Sequence, residues 1–201
     1  MPRLNLTEEE TRNLILDNAD RLFTDIGYDK TTVADIARAC GFSPANVHRV
    51  LGTKGQINRA IAERKLQGKL HAARTEAWKK ESAAERLEEF FRTVNRLTYE
   101  TFTERARVHD MVAAAIEERW QEVIDYRVGL LATARDIIAY GVERGEFDIP
   151  DIDDAAQVVH IIGLRFFHPL CVAELEEAPD GGTLDQAIPY ILRMLGAKTT
   201  G

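Results

Sequence analysis

Residues 31 to 54 read TTVADIARACGFSPANVHRVLGTK, and two short helical patterns meet in this stretch across a tight turn. Val33, Ile36, Ala37 and Cys40 recur at i, i+3, i+4 and i+7, which lays one apolar stripe along a helix of about eight residues. Gly41 ends that stripe, because glycine tolerates the left-handed backbone needed just past a helix terminus. Ser43 and Pro44 then supply an N-cap and a first helical residue whose φ is already fixed. Two short helices joined by a tight turn with glycine form a helix-turn-helix, whose second member fits the DNA major groove.

The second helix separates its faces at 100° per residue. Val47, Val50 and Leu51 cluster on one side, while Ala45 and Arg49 fall roughly opposite with Asn46 and His48 on the flanks. The outward face therefore carries a guanidinium, an amide, an imidazole and a small residue that permits close approach, groups able to read bases or grip phosphates. Upstream, Thr7 with Glu10 predicts a capping box, and Leu14, Ile15, Ala19, Leu22, Phe23 and Ile26 predict a long amphipathic helix that ends at Gly27 and packs under the pair. Downstream, Gly52 closes the second helix. Thr53 with Gln56 predicts another capping box, placing Lys54 in the first turn of a helix running to about Lys80, where its ammonium and the helix N-terminal amides can reach a phosphate.

Residues 8 to about 68 resemble the DNA-binding domain of the TetR family of bacterial transcriptional regulators. The matching residues are the helix end from Phe23 to Gly27, Tyr28, Thr31, Thr32, Val33, the Asp35-Ile36-Ala37 run, Gly41, Ser43, Arg49 and Lys54. His48 stands where the family usually has an aromatic residue, and Leu51 where it usually has Phe. The resemblance implies a domain over 8–68 with its helix-turn-helix at about 32–51, and a regulatory, ligand-binding and dimerisation domain over 69–201. It implies DNA contacts from Thr32, Ser43, Pro44, Ala45, Asn46, His48, Arg49 and Lys54. The expected protein is a homodimer on a palindromic operator of double-stranded DNA, most often a repressor, whose affinity a small-molecule effector changes.

The chain has 201 residues, enough for a substantial helical core. Four of the prolines, Pro2, Pro44, Pro150 and Pro189, fall at the N-terminus, at helix starts or in connections, and no strand alternation occurs, so an all-α fold of about nine helices is expected. Uncharged runs reach only about ten residues and no apolar N-terminal signal is present, so a cytoplasmic protein without a membrane span is expected. Cys40 and Cys171 lie on separate apolar faces and read as buried, reduced thiols. The formal net charge of −7 is unevenly spread: residues 1–60 hold eight basic and eight acidic residues, and the whole excess of acid follows them. Between 36 and 65, six basic residues face the single acid Glu63, a local +5 around the second helix of the pair.

Beyond residue 80, Ser82 with Glu85 predicts a capped helix to about Glu104. A shorter helix is expected near Ala106 to Glu118 and a long one from Trp120 to Gly145, with Asp153 or Asp154 capping the next. Residues 155–175 are apolar nearly all round, and so must bury more than one face. With the last helix, about Leu184 to Leu195, they are expected to form a four-helix dimer interface through Val159, Ile162, Phe166, Phe167, Ile188, Ile191 and Met194. A narrow polar stripe of Gln157, His160, Arg165 and His168 interrupts this surface, and Pro169 should break the helix. A ligand cavity is expected there, lined by Phe91, Tyr99, Met111, Trp120, Tyr126, His160, Leu164 and His168.

His109, Asp110, His160 and His168 lack the paired spacing of a metal site, and no nucleophile, phosphate-loop or paired-carboxylate motif occurs. Neither a metal, a cofactor nor an enzymatic activity is therefore expected. The alternative of another class is a helical small-molecule or metal-binding protein that does not read DNA.

Overall fold

The computed structural model of the protein describes residues 6–103, 118–172 and 182–197. Among these residues every regular element is helical: α1 (Glu8–Asp25), α2 (Val33–Cys40), α3 (Pro44–Leu51), α4 (Lys54–Trp78), α5 (Ala83–Thr103), α6 (Gln121–Glu143), α7 (Ile152–Phe167) and α8 (Leu184–Met194). A further helical stretch opens at Pro169. The helix expected near Ala106 lies outside the described residues up to Glu118. The chain divides into two compact units, Met1–Lys65 and Leu66–Gly201, with the division inside α4.

In the first unit the helix ends form where the side chains supply partners for free backbone groups. Thr7 and Glu10 close a reciprocal box at the start of α1, and Thr53 and Gln56 do the same for α4. Thr32 and Asp35 make a third such box on α2, while the Ser43 hydroxyl accepts from the Asn46 N–H with Pro44 at the first helical position of α3. Gly41 sits at φ 71°, the left-handed cap that its position predicts, and its N–H bonds the end of α2. Inside this frame Ile15, Leu16 and Ala19 of α1 meet Ile36, Ala37 and Cys40 of α2, Val47 and Leu51 of α3, and Ile57 and Ile61 of α4. Burying each large aliphatic side chain contributes about 1.5–3 kcal/mol, so this small core fixes the angle between α2 and α3.

In the second unit α5, α6 and α7 pack on one another around Phe90, Phe91, Leu130, Ile137, Ile138, Val159, Phe166 and Phe167. Phe91 and Phe167 lie with ring centroids 4.8 Å apart, and Phe90 meets Phe167 edge-on at 6.0 Å. Asp151, rather than Asp153 or Asp154, caps α7: its carboxylate accepts from the N–H groups of both. The earlier residue wins because an N-cap serves the amides two and three positions on. The break before Pro169 occurs as expected, with His168 in an extended conformation at φ −82° and ψ 126°. The carbonyls this break exposes are occupied: Asn95 Nδ2 donates to Phe166 O at 2.9 Å, and Thr98 Oγ1 to Phe167 O at 3.5 Å. Among the described residues no helix is long and apolar enough to cross a membrane.

Candidate nucleic-acid interface

Helix α3 turns Val47 and Leu51 into the core of the first unit and leaves Ala45, His48 and Arg49 exposed, with Asn46 partly so. The inward pair anchors the helix, so the outward residues stand on a rigid element rather than on a loop. Arg49 donates from its guanidinium to Asn46 Oδ1 at 2.9 Å. Ser43 and Pro44 are exposed at the N-terminal end of the same helix, where unpaired amides favour anionic groups. Thr32 is exposed as well, but its hydroxyl is engaged with Asp35 Oδ2 at 2.6 Å. Hydrogen bonds from the Thr32 hydroxyl and N–H hold the Asp35 carboxyl below the usual carboxylate range, with Arg38 adding to the effect.

Lys54 is more constrained than its place at a helix start suggests. Its ammonium donates to the Tyr28 carbonyl at 3.0 Å and lies 4.2 Å from the centre of the Tyr28 ring, which in turn packs edge-on to Phe23 at 5.1 Å. The loop between α1 and α2 is thereby tied to the first turn of α4. The basic excess between 36 and 65 is also smaller than the sequence count, because acids outside the window pair with it. Arg38 bonds Asp35 at 2.9 Å, Arg64 bonds Asp17 at 2.8 Å, and Lys65 bonds Asp20 at 2.5 Å. Helical periodicity gives no sign of these long-range pairings, since Asp17 and Asp20 lie on α1.

Five of the seven residues expected at a dimer seam need correction. Val159, Phe166, Phe167, Ile188 and Ile191 are buried in the core of the chain's own second unit and Ile162 is partly buried; Met194 is exposed. The apolar side chains that α7 and α8 leave outside are instead Val158, Ile161, Tyr190 and Met194, with Ile161 63% and Tyr190 68% exposed. The inward face of α7 carries Ala156, Val159, Gly163 and Phe166 at i, i+3, i+7 and i+10. Gly163 on that line makes room for the Phe167 ring one turn on in the same helix, which a Cβ there would meet at 2.6 Å.

The residues expected around a ligand cavity stand in different surroundings. Phe91 is a core residue, Tyr99 is exposed, Trp120 is buried with its indole N–H on Glu118 at 2.8 Å, and Met111 lies outside the described residues. Leu164, His160 and His168 are half-buried. Burial and then the nearby Arg127 charge push both imidazoles below the ordinary histidine range, so they are neutral at pH 7. Arg165 reaches the Cys171 carbonyl at 3.1 Å instead of a cavity. The buried Tyr126 hydroxyl has no hydrogen-bond partner among the described residues, and burial raises its pKa. An open cleft of about 340 Å³ lies elsewhere in the unit, between α5 and α8 beside Arg92, Asn95 and Asp185. Both cysteines are free thiols, Cys40 buried and Cys171 half-buried, and burial raises the Cys40 pKa. Among the described residues no three His, Cys, Asp or Glu converge as metal ligands, and His109 and Asp110 lie outside them.

Comparison with known proteins gives two family matches. Residues 15–61 match the profile described as bacterial regulatory proteins, tetR family, and residues 83–185 match the tetracyclin repressor-like C-terminal domain. No curated protein matched the sequence. Among solved structures, the TetR family transcriptional regulator PfmR from Thermus thermophilus is 26% identical, with 98% of this chain and 100% of that one covered at a TM-score of 0.52. A TetR/AcrR family regulator from Thermobifida fusca is 20% identical, with 92% and 95% covered at a TM-score of 0.62. The regulator FadR from Bacillus subtilis, solved in complex with stearoyl-CoA, is 17% identical, with 91% and 96% covered at a TM-score of 0.57.

Proposed function

This chain belongs to the TetR family of bacterial transcriptional regulators, and from that premise we propose that it is a repressor that binds a near-palindromic operator as a homodimer. One α3 from each subunit enters the major groove, and the two half-sites lie about 34–36 Å apart. The observation that carries this reading is the division of α3 into a buried anchor, Val47 and Leu51, and an outward surface of Ala45, Asn46, His48 and Arg49. Ser43 and Lys54 serve phosphates, and Thr32 and Pro44 are the further contacts in this reading. The DNA-binding domain spans 8–68, the remaining residues regulate it, and the protein acts in the cytoplasm, where its operator lies.

Dimerisation buries the outer apolar faces of α7 and α8, which a monomer would leave in water. A small molecule held by the second unit favours the arrangement that does not fit the operator. A preference of about 1–3 kcal/mol for that state weakens operator binding roughly 5- to 150-fold, enough to switch transcription. Tyr126, His160, Leu164 and His168 remain the proposed effector contacts, and the FadR complex makes a fatty acyl thioester the first compound to try.

The test is selection of bound duplexes from genomic fragments with the full chain, followed by mobility shift on the selected site. One inverted-repeat site, bound by two chains and released by a cognate effector, is the expected result. Arg49→Ala should then cost about 1–3 kcal/mol of operator affinity. A folded protein that selects no sequence overturns the reading.

A further inference from the structure

The contact between Asn46 and Arg49 has a consequence for which bases the helix can read. A guanidinium carries only donors, so the amide must turn its oxygen toward Arg49, as the 2.9 Å contact from Arg49 to Oδ1 has it. The two residues stand at i and i+3 on α3, where side chains are neighbours, and the Asn46 N–H is itself held by the Ser43 hydroxyl at 3.2 Å. An unattached asparagine has a donor and an acceptor to offer, the combination that reads adenine through N6 and N7. Here one of the two lone pairs of that acceptor is already committed to Arg49. What the pair then has most of to offer is donors, the amide NH₂ beside the other guanidinium hydrogens.

We propose that Asn46 sets specificity as part of a donor-rich pair with Arg49, selecting adjacent base pairs that both present acceptors: guanine N7 and O6 under Arg49, and guanine O6 or thymine O4 under Asn46. This rests on the reading of α3 as the helix that enters the major groove. Asn46 acts twice in this arrangement, orienting Arg49 through its oxygen and contacting a base through its nitrogen. The pair also disfavours the bidentate reading of adenine at the Asn46 position, because that reading turns the amide oxygen to the adenine amine while the same oxygen is held by Arg49.

The experiment is parallel selection from a pool of random-sequence duplexes with the full-length wild type, Arg49→Ala, Asn46→Asp, Asn46→Ala and the double variant Asn46→Ala with Arg49→Ala, followed by affinity measurement on the wild-type site. Thermal unfolding of each variant checks that these surface substitutions leave the fold intact. Wild type should select guanine beside a second acceptor base. Arg49→Ala frees the Asn46 oxygen, and the neighbouring position should then move toward adenine. Asn46→Asp keeps an acceptor for Arg49 but replaces the outward donors, so guanine should persist while its neighbour moves to cytosine or adenine. The losses of Arg49→Ala and Asn46→Ala should fall short of multiplying in the double variant by about threefold or more. Adenine at the Asn46 position in wild type, an unchanged neighbour in Arg49→Ala, or losses that simply multiply would each overturn the proposal while leaving sequence-specific binding standing. A wild type that selects nothing removes the premise and the proposal together.

Discussion

Gly52 holds the end of α3 at φ 77° and ψ −137°, a conformation that side chains of L-residues rarely adopt. A Cβ there would also lie 2.1 Å from the Gln56 side-chain oxygen that accepts from the Thr53 N–H. Gly52→Ala should therefore lower stability by about 1–3 kcal/mol, read from chemical denaturation, and should weaken DNA binding because α3 and α4 lose their fixed joint. A stability within error of wild type would show that the joint relaxes freely. Lys54 combines two roles at this same corner, as a tie to Tyr28 and as a cation at a helix start. Lys54→Ala should weaken binding to every sequence and flatten the dependence of log affinity on log salt by about 0.9, the value of one phosphate contact. A reduced affinity with an unchanged slope would assign Lys54 to loop positioning alone.

At the scale of the element, α7 shows how a broken helix is kept dry. The Pro169 break leaves the Phe166 and Phe167 carbonyls without helical partners, and α5 supplies Asn95 and Thr98 to them. Asn95→Ala should cost about 1–3 kcal/mol, measured by thermal unfolding, because a partly buried carbonyl loses its donor. An unchanged midpoint would mean that water replaces the amide without loss. His160 and His168, near the break, are held neutral by burial and by Arg127. Since their folded pKa values lie below the unfolded ones, the unfolded state binds protons first as pH falls. Stability is then greatest above about pH 6.5 and declines below it, down to the folded pKa values. Unfolding midpoints between pH 7.5 and 5 should show that decline, and exchange of both histidines for Gln should reduce it. An equal slope in the double variant would place the titrating groups elsewhere.

Across the whole molecule, the buried apolar side chains that fold the chain are distinct from the exposed ones proposed to assemble it. Phe167 is buried among Phe90 and Phe91, so Phe167→Glu should unfold the second unit by placing a charge in its core. Ile161 and Tyr190 are exposed, so Ile161→Glu or Tyr190→Glu should leave the monomer folded and abolish dimers. Sedimentation with circular dichroism distinguishes the two outcomes. A folded dimer in both surface variants would remove these faces from the dimer proposal.

The sequence by itself determined the helical fold and the placing of the helix-turn-helix. Those features depend on contacts between residues three or four apart, as in the Thr7/Glu10 and Thr53/Gln56 boxes, the Ser43-Pro44 start and the Gly41 stop. The split of α3 into Val47 and Leu51 inside and Arg49 outside was legible for the same reason, because helix geometry fixes relative angles. Only the tertiary structure decided which side of an almost wholly apolar helix points inward. Ile161 is at least as hydrophobic as Val159 yet lies outside, and the difference arises from α5 and α6 packing over one face of α7. It likewise decided the partners of Lys54 and Lys65, since Tyr28 and Asp20 lie 26 and 45 residues away along the chain. Helical periodicity orders residues around one axis; it carries no record of which distant segment covers them.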